Sequence, residues 1–434
     1  MAVFSKEKIR NIALIGHGGE GKTSLLEAML FNTKAIDRLG KVDDGTTVSD
    51  YDAEEINRKM SISLSMSYVL YKDYKINVID TPGFFDFEGE MVGALTVCDG
   101  AIVVTQAGGS LSVGAEKALD YCTERKIPVI LFINGLNKEN SNFFTTVDAI
   151  KAKYGSKVCA IEFPILEGTD MKGYVDVLTG KAYDVSGGEV AVPANLTDAI
   201  NADNAELTET VASASEELME KFFDGEELTK EDKIGGMKTL IAEGEFIPVV
   251  SGVATGKPVL CDLLENIVHY IPYPGEHTLA KAKKGEEEIE LDYDENGVTV
   301  CRVFKTIVDP FVGKLNLFKV YGGSVKTGDV LVNMRKDEQE KISTLYILKG
   351  KTQEQVPVLN AGDMGAFAKL NITKTGDTLC AQGADIVFPP IDFPKPVLTL
   401  AISCEDKGGT DKLVDGLRKL MDEDRTFRVE KDEN

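Results

Sequence analysis

Residues 16 to 24 read GHGGEGKTS, with Gly16, Gly21, Lys22 and Thr23 at the spacing that wraps backbone N–H groups around phosphate oxygens. Glycine lets successive amides converge on one anion, and a helix start adds a favourable field. The candidate phosphate-binding residues are therefore His17, Gly18, Gly19, Glu20, Gly21, Lys22, Thr23 and Ser24. Lys22 is placed to reach the β and γ phosphates, and the Thr23 hydroxyl to ligate magnesium. Further on, VIDTPGFFDFEG sets Asp80 at the end of an apolar run, where it would hold the same magnesium through water. Gly83 could then offer its backbone N–H to a γ phosphate. Either motif alone could be an ordinary turn. Both in this order, each behind an apolar strand, imply a GTPase-type nucleotide domain.

These residues need strands to carry them. The runs NIALI (11 to 15), KINVID (75 to 80), GAIVVT (100 to 105), PVILFIN (128 to 134) and FIPVVSG (246 to 252) alternate with amphipathic stretches. That alternation predicts a doubly wound, mostly parallel sheet in an α/β domain over residues 1–275. Leu25, Leu26, Met29 and Leu30 have helical spacing and open the first crossover. A long excursion near 158–245, holding CAIEFPI, YVDVL and an acidic helical stretch around ASEELMEKFF, reads as an inserted subdomain. Proline, glycine and charge in 276–293 read as a linker. Short β-rich runs punctuated by glycine over 294–385 predict a β-barrel. Residues 386–434 give a strand (KPVLTLAISC), a helix (Leu413, Val414, Leu417, Leu420, Met421) and a strand (TFRVEKDEN). That is too little sheet to close a core, so a partial third domain is expected.

Composition excludes several classes. With 434 residues, 43% hydrophobic and 27% charged, the chain fits a multidomain globular protein. No run approaches the eighteen or so apolar residues of a membrane span, and no signal peptide precedes the first strand, so a cytoplasmic location is expected. The seven cysteines are scattered and never spaced CxxC, which argues against a zinc site or disulfide framework and for buried thiols. A formal charge of -23 disfavours adhesion to naked nucleic acid or sequence-specific DNA binding, but leaves a ribonucleoprotein partner open.

The order GHGGEGKTS, RKMSIS, DTPGFFDF, FINGLNKENSNF and VVSGVATGKPV resembles bacterial elongation factor G, and more closely its elongation factor G-like paralogues. A barrel containing KLNLFKVYGGSVKTGD and the closing FPKPVLTLAI…DEDRTFRVEKDE extend the resemblance over the whole chain. It implies a translational GTPase that binds GTP and GDP with Mg2+, works on the ribosome as a monomer, and has a ferredoxin-like third domain. In that family the rest of the third domain and a fourth and fifth would follow residue 434. The resemblance also assigns Ser61, in RKMSIS, to the magnesium-coordinating position of the first switch. It shows Gly19 where elongation factors usually carry aspartate, and Phe84 where a histidine positions the attacking water.

The family reads its base with Asn-Lys-x-Asp. Ungapped alignment sets Asn134, Gly135, Leu136 and Asn137 at those positions, whereas a shifted reading from Asn137 to Asn140 would leave the strand end. An amide at 137 puts a donor against one guanine donor, and Gly135 removes the lysine stem that covers base and ribose. Ser251, Gly252, Val253 and Ala254 would supply the last base contacts through their backbone. The phosphate end thus reads as intact, and the base end and the water-positioning site as degraded. Slow GTP hydrolysis is the leading expectation. A non-hydrolysing, nucleotide-responsive regulatory protein and an NTPase of relaxed base specificity are the alternatives.

Overall fold

Ile9–Ile15 (β1) is buried at every position, because apolar side chains on both faces of a central parallel strand must be covered. The computed structural model describes residues 3–309, 312–403 and 410–430. After β1 the chain turns through Gly16 into α1 (Lys22–Asn32). Gly16 has φ +135°, and a Cβ there would run into the Val104 carbonyl, so this turn admits only glycine. A short α2 (Ala53–Arg58) leads to the antiparallel hairpin β2 (Ser65–Tyr71) and β3 (Tyr74–Asp80). Then come α3 (Glu88–Leu95), β4 (Gly100–Gln106), α4 (Val113–Glu124), β5 (Val129–Asn134), α5 (Phe143–Tyr154) and β6 (Val158–Ala160).

The seven-stranded sheet has the order β2-β3-β1-β4-β5-β11-β6, where β11 is Ile247–Ser251. Pairing is parallel from β1 through β4, β5 and β11 to β6. The ends of β1, β3, β4, β5 and β11 therefore carry the loops with the candidate site residues. The chain from 158 onward differs from the expected boundary of the insertion, since β6 is an edge strand of the main sheet. The separate four-stranded antiparallel sheet is built from β7 (Glu162–Glu167), β8 (Asp170–Asp176), β9 (Lys181–Asp184) and β10 (Glu189–Val190). Helices α6 (Thr197–Ala212), α7 (Glu216–Phe223) and α8 (Lys230–Ala242) return the chain to β11, and α9 (Leu263–Tyr270) closes this part.

Two compact units result: Arg10–Asp86 with Cys98–Pro272, and Met1–Ile9 with Phe87–Val97 and Tyr273–Asn434. In the second, eight antiparallel strands form a sheet around the Val300–Asp309 and Gly313–Gly322 hairpin, whose bulge near Val303 and Lys305 adds curvature. Within this unit Lys305 Nζ pairs with Glu90 of α3 at 2.6 Å, both side chains buried.

Two sequence expectations change here. The segment read as a linker contains a hairpin, Ala280–Lys284 against Glu287–Leu291. Lys281 faces Glu290, Lys283 faces Glu288 and Lys284 faces Glu287, so its charge is cross-strand pairing of opposite signs, and only Ala282 is buried. In the third domain α10 (Thr410–Glu423) forms as expected. The flanking stretches make no ladder among the described residues, and 404–409, Cys404 included, and 431–434 lie outside them. Of the cysteines described, all are free, and Cys122, Cys159, Cys301 and Cys380 are buried.

One buried acid works against stability. Glu162 is 3% exposed; its Oε1 accepts from Asn266 Nδ2 at 2.6 Å, while Oε2 has no partner. Burial, then the charge of Asp262, raises its pKa well above 4.5. An acid whose folded pKa is raised stabilises the fold below its unfolded pKa and loses that contribution as pH rises through the folded value. Glu162→Gln is therefore expected to raise stability at pH 8 by about 1–3 kcal/mol and leave it nearly unchanged at pH 4.5. Thermal unfolding across that range checks it, and a lower Tm for the variant at pH 8 would contradict it.

Candidate nucleotide-binding site

The phosphate loop is held from beneath by its own lysine. Lys22 Nζ donates to Gly16 O at 3.0 Å and His17 O at 2.8 Å and is 5% exposed. Burial pushes its pKa down to about 8, although Asp80, Glu20 and Asp50 all act to raise it. The ammonium is thus poorly hydrated and ready to be exchanged onto an anion.

Beside it lies a group of hard oxygen donors. Thr23 Oγ1 donates to Asp80 Oδ2 at 2.7 Å and lies 3.1 Å from Ser61 Oγ, and Ser49 Oγ donates to the same carboxylate oxygen at 3.0 Å. Asp80 Oδ1 and Asp50 Oδ2 are buried without a hydrogen-bond partner. Both acids are raised to about 6: Asp80 by burial against the pull of Thr23 and Lys22, Asp50 by burial and by the charge of Asp80. Two such carboxylates are relieved by a divalent cation, and oxygen-only ligands suit magnesium. Thr23, Ser61 and Asp80, assigned to the metal from sequence, do come together. No group of three or more His, Cys, Asp and Glu residues that could hold a metal is found among the described residues.

At the base end, Asn134 is the last residue of β5 and acts as a brace. Its Nδ2 donates to Glu20 O at 3.0 Å and its Oδ1 accepts from Ala254 N at 3.1 Å, tying the phosphate loop to the loop after β11. That second loop is fixed further by Gly252 N donating to Ile133 O and by a two-way backbone bridge between Val253 and Val259. The Ser251 hydroxyl is buried without a partner. Asn137 is exposed, directly after the buried Leu136. Gly135 has φ +77°, and a Cβ there would run into Gln106 Oε1. The left-handed backbone at the place of the missing lysine favours glycine, while Gln106 could swing aside.

At the position assigned from sequence to water positioning, Phe84 is 38% exposed and lies against Gly18, while the Gly18 amide donates to the Gly83 carbonyl at 3.1 Å. The Gly83 backbone thus meets the phosphate loop through its carbonyl.

The model for the elongation factor Tu GTP binding domain matches residues 7–273, that for elongation factor G domain 2 matches 300–382, and that for elongation factor G domain III matches 393–434. The chain belongs to the elongation factor G-like translational GTPases. Among solved structures, a Thermus thermophilus protein shares 28% identity at a TM-score of 0.86, over 98% of this chain and 62% of its own. The elongation factor G-like chain thus spans under two thirds of that relative. Its GTPase domain implies guanine nucleotide binding.

Four residues of this elongation factor G-like site escape sequence reasoning, Ser49 with its bond to Asp80 among them. Asp50 joins the carboxylate group from the loop before α2. Glu55, raised in pKa by burial, accepts from Ile62 N at 3.0 Å and Ser63 N at 3.1 Å and so pins the loop that carries Ser61. Gln106 donates to Glu20 O at 2.8 Å, beside Asn134. None lies in a spaced motif. Only the capping box at Asp52 and Glu55, visible as D-x-x-E before a helix, gave a local signal.

Proposed function

We propose that this elongation factor G-like chain is a slow GTPase switch that binds GTP and GDP with Mg2+ as a monomer and acts on the ribosome. The observation that carries it is the convergence of Lys22, Thr23, Ser61, Asp50 and Asp80 at the end of β1 and β3, with Phe84 in the place of a water-positioning side chain. Thr23, Ser61 and Asp80 would hold the cation, which supplies charge neutralisation between the outer phosphates. Lys22 leaves its two loop carbonyls for phosphate oxygens, and the first amides of α1 orient the inner phosphates. Phe84 can neither donate a hydrogen bond to water nor accept one, which is the ground for slow turnover.

Base reading supports guanine weakly. Asn137 is expected to cost guanine one charge-assisted bond, so Asn137→Asp should raise the GDP-to-XDP affinity ratio ten- to a hundredfold, about 1.5–3 kcal/mol. Competition against a fluorescent nucleotide measures the ratio, and an unchanged value would place the base away from this loop. The ribosome part is tested by GTP turnover with and without ribosomes. Stimulation supports the translational reading, and retained binding with no turnover in either condition favours the regulatory one, to which Phe84 also points.

A further inference from the structure

Gly83 and Phe84 close over the phosphate loop on the side where an outer phosphate would have to enter. The Gly18 amide is spent on the Gly83 carbonyl, and Lys22 Nζ gives two of its three N–H groups to Gly16 O and His17 O. Gly83 lies so close that a Cβ on it would run into Lys22 Nζ and the Gly18 amide. The Phe84 ring covers Gly18, where a Cβ would come within 2.6 Å of Cε2 and Cζ. This cover is held at its edges. The His17 ring lies 6.1 Å from the rings of both Phe84 and Phe85, Lys117 Nζ sits 4.1 Å over the Phe85 ring, and Gly114 at the start of α4 packs against His17.

The donor nearest the γ position, the Gly18 amide, is thus engaged at the point where the Gly83 backbone meets the loop, whereas Lys22 keeps one N–H free and serves either outer phosphate. The amides that open α1 are the intrinsically unpaired ones of any helix start and remain suited to the inner phosphates. From this asymmetry we infer that Phe84 is a specificity-determining residue that makes the site select nucleoside diphosphate over triphosphate. A diphosphate fits under the cover. A triphosphate must break the Gly18–Gly83 hydrogen bond and lift the phenyl ring from Gly18 before its γ phosphate meets the Gly18 amide. The inference rests on the nucleotide reading of the phosphate loop given above.

The test titrates the full chain with GDP and with the non-hydrolysable triphosphate GDPNP in saturating Mg2+. Wild type should bind GDP at least about tenfold tighter than GDPNP, and Phe84→Ala should shrink that ratio about tenfold, whereas Phe84→Leu, which keeps an apolar cover, should keep most of it. Equal affinities in wild type, or an unchanged ratio in Phe84→Ala, would overturn the inference. Because the chain contains no tryptophan, Phe84→Trp gives a single-site reporter that decides the matter should the alanine variant not fold. GDPNP should shift its emission and GDP should not, and identical spectra with both nucleotides bound overturn the proposal. Binding of neither nucleotide by wild type would instead remove the nucleotide reading, and the proposal with it.

Discussion

Phe84→His is expected to raise the single-turnover rate of GTP hydrolysis by about 10²-fold or more, with GDP affinity unchanged. The rate gain follows from supplying, at the position beside Gly83, a ring that can hydrogen-bond water and that titrates near working pH, a contribution worth about 10²- to 10⁴-fold where such a group is positioned. In the proposed reading GDP affinity is set elsewhere, by the phosphate loop and the loop after β11 that Asn134 ties to it. Rapid-quench measurement at saturating GTP and Mg2+ reads the effect. No acceleration with GTP demonstrably bound would show that water positioning is not what limits this site.

Lys22→Ala should weaken GDP binding by about 10²-fold or more, since it removes a buried cation whose partners in the complex would be phosphate oxygens. It also takes away one of the attractions that restrain the Asp80 pKa, so magnesium-dependent binding should fall with it. Calorimetry with GDP at several Mg2+ concentrations reads both. An unchanged GDP affinity would mean that the loop does not hold the phosphates.

The elements that carry the phosphate end were legible because they are local: a strand, a glycine-punctuated turn and a helix start follow one another without interruption from Ile9 to Ser24. The parallel strands β4, β5 and β11 were legible for a related reason, as continuous apolar runs between turns. What the sequence hid acts across distance. Asp50 meets Asp80, far along the chain, through burial rather than spacing, and Gln106 reaches Glu20 across the sheet. Asn134, read from the sequence as a base contact, also braces two loops through its amide, a role that depends on where the neighbouring strand ends. The hairpin over 280–291 was hidden for the opposite reason. Its alternating lysines and glutamates resemble a solvated linker until the cross-strand register pairs them.

The central claim, that a guanine nucleotide is bound despite Gly135 and Asn137, is tested most directly by calorimetric titration of the purified protein with GDP, XDP and ADP in Mg2+. The account predicts that GDP binds at micromolar level or tighter and more tightly than ADP and XDP, with Asn134 and the loop of Ser251 to Ala254 still selecting the base. Weak or equal binding of all three would contradict it.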